Sequence, residues 1–148
     1  VLNGAHPGAT IDYHDSRVST VVPQAPDLLW ILLGHNIDGT DTPQQFLDRM
    51  DDLIADVRAL YPNTPVLVSS ENARTDAGAA AAAARFAMLR SAWRSRGWGY
   101  EEVETPFANY PGGVALILQG DGVHPTITGT PPTGADFWAT LDKAHFGV

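Results

Sequence analysis

Apolar runs of strand length alternate along this chain with stretches of helical period, and that alternation predicts helices packed on a parallel sheet. Leu28-Leu29-Trp30-Ile31-Leu32-Leu33 is a continuous apolar run, as expected where both faces of a strand are covered. Val66-Leu67-Val68 and Trp98–Val103 read as two more strands, and Val1–Gly4 as the tail of another. Phe46, Leu47, Met50, Leu53, Ile54, Val57 and Leu60 recur at helical spacing and define one buried stripe. Thr42 is the expected N-cap of that helix. Pro43 suits its first position, where no N–H is needed. The alanine run Ala79–Ala84 starts a second long helix, continued by Phe86, Met88, Leu89 and Trp93, with Gly97 as its C-terminal cap. A helix or helical turn is expected over Ile11–Val22, stopped by Pro23 and Pro26. A last helix is expected from about Gly134 to His145, and Val114–Leu118 fits either helix or strand. No internal repeat is present, and no linker is long enough to divide the chain.

Composition narrows the partners more than the fold. A chain of 148 residues with 44% hydrophobic and 18% charged positions fits one globular domain. A formal net charge of −8 argues against nucleic acid and anionic membrane surfaces as partners. Without cysteine there is no disulfide, thiolate metal site or cysteine nucleophile. No apolar run approaches the roughly 20 residues that span a bilayer. Val1-Leu2-Asn3 reads as the end of a buried strand with no initiator Met, so residue 1 is expected to be a cut, with targeting information upstream. The compartment stays open, a secreted protein or part of a larger extracellular assembly being favoured.

Gly8, Gly34–Gly39 and Ser69–Arg74 follow strand candidates, so these loops are expected to gather along one rim of the sheet. The chemistry concentrates in three segments. In Asp121-Gly122-Val123-His124-Pro125, an acid three residues before a histidine can hold one ring nitrogen and leave the other to take a proton. The other two are Asn3-Gly4-Ala5-His6-Pro7-Gly8-Ala9-Thr10 and Gly34-His35-Asn36-Ile37-Asp38-Gly39. Each has a plain structural alternative: turn glycines, a turn-forming asparagine, and two loop turns at Asp-Gly and His-Pro.

In this order and at these separations, the three segments resemble the SGNH (GDSL-type) hydrolase family over nearly the whole chain. The resemblance implies a three-layer α/β/α sandwich with a parallel, flavodoxin-like sheet, and a serine esterase that needs no metal or organic cofactor. It implies that Asp121 orients His124, the general base and then general acid. Gly8 (Gly4 is the poorer alternative) and Asn36 would be oxyanion-hole donors, which meet charge that develops only in the transition state. His35 looks like the variant of carbohydrate esterases in the family. His35, Asp38, Glu71 and Asn109 are possible substrate contacts, and Asn72, Arg74 and Tyr110 lie on loops that could shape the pocket. Where the family usually has Asp directly after the Asn, Ile37 intervenes here and the acid is Asp38.

The family's Gly-Asp-Ser block, with its nucleophilic serine, has no counterpart in these residues. Residues 1–148 are therefore expected to form one SGNH-like domain lacking its first strand. That strand would lie between Val1–Gly4 and Leu28–Leu33, supplied by an upstream segment or a separate chain. Ser69 and Ser70 are the in-chain substitutes, without a nucleophile-elbow pattern around them. Ser16, after Asp15, lacks the preceding glycine. The expected substrate is a carboxylic ester, an acetylated sugar or a small acyl ester. Two rivals stand beside it. One is a non-catalytic carbohydrate-binding or structural module on the same fold. The other is a metal-dependent hydrolase using His6, His14, His35 and nearby acids such as Asp12 and Asp15.

Overall fold

The computed structural model describes residues 4–36, 41–130 and 132–147. Among them, three parallel strands form one sheet in chain order: β1 (Leu29–Leu32), β2 (Val66–Ser69) and β3 (Gly99–Glu101). Trp30 pairs with Leu67 and Leu67 with Gly99; two residues on, Leu32, Ser69 and Glu101 share a row. The proposed strand at Val1–Gly4 lies outside the described residues except for Gly4.

Each crossover is a long helix, as parallel strands require. α3 (Pro43–Leu60) starts at a complete capping box: Thr42 and Gln45 satisfy each other's backbone N–H, with Pro43 at the first turn. Its stripe from Phe46 to Val57 is buried, while Leu60 at the end stays exposed. α4 (Ala79–Arg96) ends at Gly97, which takes the left-handed conformation expected of a C-cap. Together they cover one face of the sheet. Phe46, Met50, Ile54, Phe86 and Leu89 pack there against Ile31, Val66 and Val68.

The expected single helix over 11–22 is two short ones, α1 (Ile11–Asp15) and α2 (Val18–Val21). Thr10 caps the first, and the helix breaks at Ser16–Arg17, where Arg17 adopts φ −132°. Both rest on α3, with Ile11 and Val18 in the shared core.

The opposite face carries α6 (Gly134–Phe146), whose Phe146 ring meets Trp30 edge-on at 5.7 Å. A second core joins α6 to α5 (Glu104–Ala108) through Phe107, which touches Phe137 and Trp138. The layers are thus helices, sheet and helix, an α/β/α arrangement. Val114–Leu118, open between helix and strand, is a 3₁₀ turn over Val114–Leu116 followed by a single antiparallel bridge from Leu118 to Pro125. Among the described residues no helix is long and apolar enough to cross a membrane.

Candidate active site

The loop after the 3₁₀ turn folds back on itself. Gln119 N–H donates to the His124 carbonyl at 2.7 Å, and Gly122 N–H to the Gln119 carbonyl at 2.9 Å. Gly122 needs φ +68°, and a Cβ there would sit 2.5 Å from Thr75 Oγ1. A side chain would therefore strain the backbone and collide with its neighbour. Inside this turn, one Asp121 oxygen accepts the N–H groups of Val123 (2.9 Å) and His124 (3.1 Å). The other lies 2.7 Å from His124 Nδ1. The three-residue spacing thus delivers both a turn-stabilising carboxylate and an oriented imidazole.

The hydrogen bond from His124, followed by those two backbone donors, pulls the Asp121 carboxyl down to about 2. The acid is ionised at neutral pH, so Nδ1 facing it carries a hydrogen and Nε2 is left as the basic nitrogen. Among the described residues Nε2 has no hydrogen-bond partner, and the His124 side chain is 69% exposed. An imidazole so held is free to take a proton from an incoming group.

Asn36 sits exposed just beyond the end of β1, its side-chain amide unbonded among the described residues. The two residues before it are fixed from all sides. Arg85 donates to the Gly34 carbonyl at 3.1 Å and Arg74 to the His35 carbonyl at 3.3 Å. The His35 ring is 8% exposed, with Nδ1 2.7 Å from Glu71 Oε2 and Nε2 2.8 Å from the Asn72 carbonyl. Both ring nitrogens are occupied, and Glu71 also accepts the His35 N–H at 3.1 Å. Asp38 lies outside the described residues.

Asn72 carries no motif in the sequence, yet it joins the two loops. It is 2% exposed, and its amide donates to the Val123 carbonyl at 2.7 Å, next to His124. Thr75 N–H adds a bond to the Gly122 carbonyl at 2.8 Å. The loops bearing Asn36 and His124 are in this way tied to one segment, 71–75. Its Arg74 is braced by two bonds to Asp76, whose carboxyl falls below the usual range because of them.

The remaining candidates make no hydrogen bond to this junction among the described residues. Gly8 is the third residue of a turn closed by Ala9 N–H on the His6 carbonyl; Pro7 precedes it and its φ is +73°. It is exposed and its N–H is unbonded among the described residues, but no hydrogen bond there links it to the His124 loop. Asn109 ends α5 and donates to the Thr105 carbonyl at 2.9 Å. Tyr110 packs on Phe137. Ser69 is fully buried, accepting from Trp30 Nε1 and donating to Glu101 Oε2 at 2.5 Å each. Ser70 is equally buried and accepts the Val103 and Glu104 N–H groups. Neither hydroxyl faces an open cleft. Among the described residues no group of three or more His, Cys, Asp or Glu side chains is arranged to hold a metal ion. A cavity of about 310 Å³ opens beside the 71–75 segment, lined by Ala73, Arg74, Ala80, Ala83, Phe86 and Val114.

The model of the GDSL-like Lipase/Acylhydrolase family matches residues 1–130, and the chain belongs to that family of hydrolases. Solved structures agree on the fold. The lipase/acylhydrolase from Enterococcus faecalis superposes with a TM-score of 0.73 at 17% identity, covering 94% of this chain and 71% of its own. A protein described as a GDSL-like lipase from Parabacteroides merdae gives 0.74 at 18%, covering 95% and 69%. The esterase domain of the zebrafish ZfL2-1 retrotransposon ORF1 protein gives 0.55 at 20%, covering 97% and 85%. Among curated proteins nothing matches the chain.

Proposed function

We propose that the chain is the base- and donor-bearing part of a serine esterase that cleaves a carboxylic ester. The observation that carries this reading is the 2.7 Å contact between ionised Asp121 and His124 Nδ1, which leaves Nε2 open to solvent. A serine on a strand upstream of residue 1, or on a separate chain, attacks the ester carbonyl. His124 takes its proton and returns it to the leaving alcohol, while Asp121 steadies the imidazolium. Asn36 and the Gly8 N–H donate to the oxyanion, each worth about 2.7–4 kcal/mol in the transition state. Both are exposed and unbonded among the described residues, as groups awaiting substrate must be. The ester is an acetylated sugar or a small acyl ester. In this reading Glu71 and Asn109, with Asp38 outside the described residues, contact the alcohol part of the ester.

Support for the extra strand comes from β1. Its second edge has no partner strand among the described residues, and Leu28, Trp30 and Leu32 are 44%, 43% and 39% exposed. An open edge with apolar side chains beside it favours pairing with another strand.

The test is an intact-mass and N-terminal analysis of the natural product, followed by p-nitrophenyl acetate hydrolysis with and without a serine-directed phosphonate or a chelator. A Gly-Asp-Ser upstream, hydrolysis blocked by the phosphonate and indifference to the chelator are expected. Absence of that serine together with absence of turnover would leave the non-catalytic module.

A further inference from the structure

We infer that His35 and Asn72 are positioning residues: together with Glu71 they form a buried relay that sets the Asn36 donor against the His124 base. The inference rests on the esterase reading for its consequence, but the relay itself is a matter of hydrogen-bond accounting. The Asn72 carbonyl can only accept, so His35 Nε2 at 2.8 Å must carry a hydrogen. Glu71 Oε2, 2.7 Å from Nδ1, already accepts the His35 N–H. A second hydrogen must lie between Nδ1 and that oxygen. The ring acts as a two-ended clamp, with no lone pair left for chemistry.

From the clamp the connection runs without a break. Asn36 follows His35 directly; His35 grips Asn72 through its backbone; Asn72 grips Val123 through its side chain; Val123 precedes His124. Asn72 is 2% exposed and His35 8% at its side chain, so water does not compete for these bonds. Removing a link leaves the two catalytic groups intact but loosens the distance between them. Misplacement of that kind is costly to the chemical step even when substrate still binds.

The experiment uses the natural product with p-nitrophenyl acetate. Asn72→Ala and His35→Gln should each lower kcat roughly tenfold to a hundredfold with KM changed less than about twofold. A positioning residue acts only through the group it positions. Asn72→Ala should therefore cost nothing further in a His124→Ala background, and His35→Gln nothing further beside Asn36→Ala. Equal fold-losses in both backgrounds, or no loss at all, would overturn the relay. A second arm needs no activity. In the natural product, amide exchange by NMR at Val123 and His124 should be faster in Asn72→Ala than in wild type. Unchanged exchange in a folded variant would overturn it equally. Asn72→Ser, which keeps a small donor, replaces Asn72→Ala if the latter does not fold. Undiminished turnover of His124→Ala would sink the esterase reading alone, since the NMR arm still judges the relay.

Discussion

The two faces of the sheet are built on different terms. Toward α3 and α4, Ile31, Val66 and Val68 meet Phe46, Met50, Ile54, Phe86 and Leu89, nearly all sealed from water. Toward α6, the same strands present Trp30, Leu32, Ser69 and Glu101. There Trp30 and Leu32 stay about two-fifths exposed while Leu67, Ser69 and Glu101 are buried. Trp30 donates to Ser69, Ser69 to Glu101, and Glu101 Oε1 is left without a hydrogen-bond partner among the described residues. One face is a finished core. The other is half-covered, with a carboxylate inside and two large apolar side chains partly outside, the reverse of what a self-sufficient layer does.

This contrast is open to direct attack. The largest effect should come from Phe86→Ala on the finished face, which empties a fully buried site and costs about 3–5 kcal/mol in chemical denaturation. A loss under about 1 kcal/mol would mean that this core is loosely packed.

Asp142 should give the next effect. Burial, and then the Glu101 charge beside it, push its carboxyl up to about 6. The folded state then binds the proton more tightly than the unfolded chain, whose carboxyl titrates near 3.8. Its contribution to stability is therefore full below that value and is lost as pH rises through about 6. Asp142→Asn should match wild type near pH 4 and be the more stable protein at pH 7. Parallel stability curves for the two proteins from pH 4 to 7 would show that the half-covered face carries no such strain.

The smallest effect should be Leu32→Ser, within about 0.5 kcal/mol in the 148-residue chain, because the side chain is already partly in water. In the natural product the same change should cost about 1.5–3 kcal/mol if an upstream strand and its connection bury that face. Equal effects in both proteins would break the comparison.

Much of the finished face was legible in the sequence, and little of the other. The Phe46–Val57 stripe, the Thr42–Pro43 start and the Gly97 stop depend on neighbours within a few residues, so periodicity and capping rules reach them. The Asp121–His124 bond is legible for the same reason: both groups lie in one turn. The Trp30–Ser69–Glu101 chain depends on strand register, which places positions 32, 69 and 101 in one row. Glu71 was visible as a loop acid, whereas its pairing with His35 crosses 36 residues. Asn72 was likewise visible only as a loop residue near the pocket; its bond to Val123 crosses 51 residues of chain. The break at Ser16–Arg17 was missed because no proline or glycine marks it.

If His124 is the proton-transferring base of an ester hydrolase, its loss must slow the chemical step. In steady-state hydrolysis of p-nitrophenyl acetate by the natural product, His124→Ala should lower kcat about 10²–10⁴-fold while melting with the wild type. A folded variant with unchanged kcat would remove His124 from the chemistry.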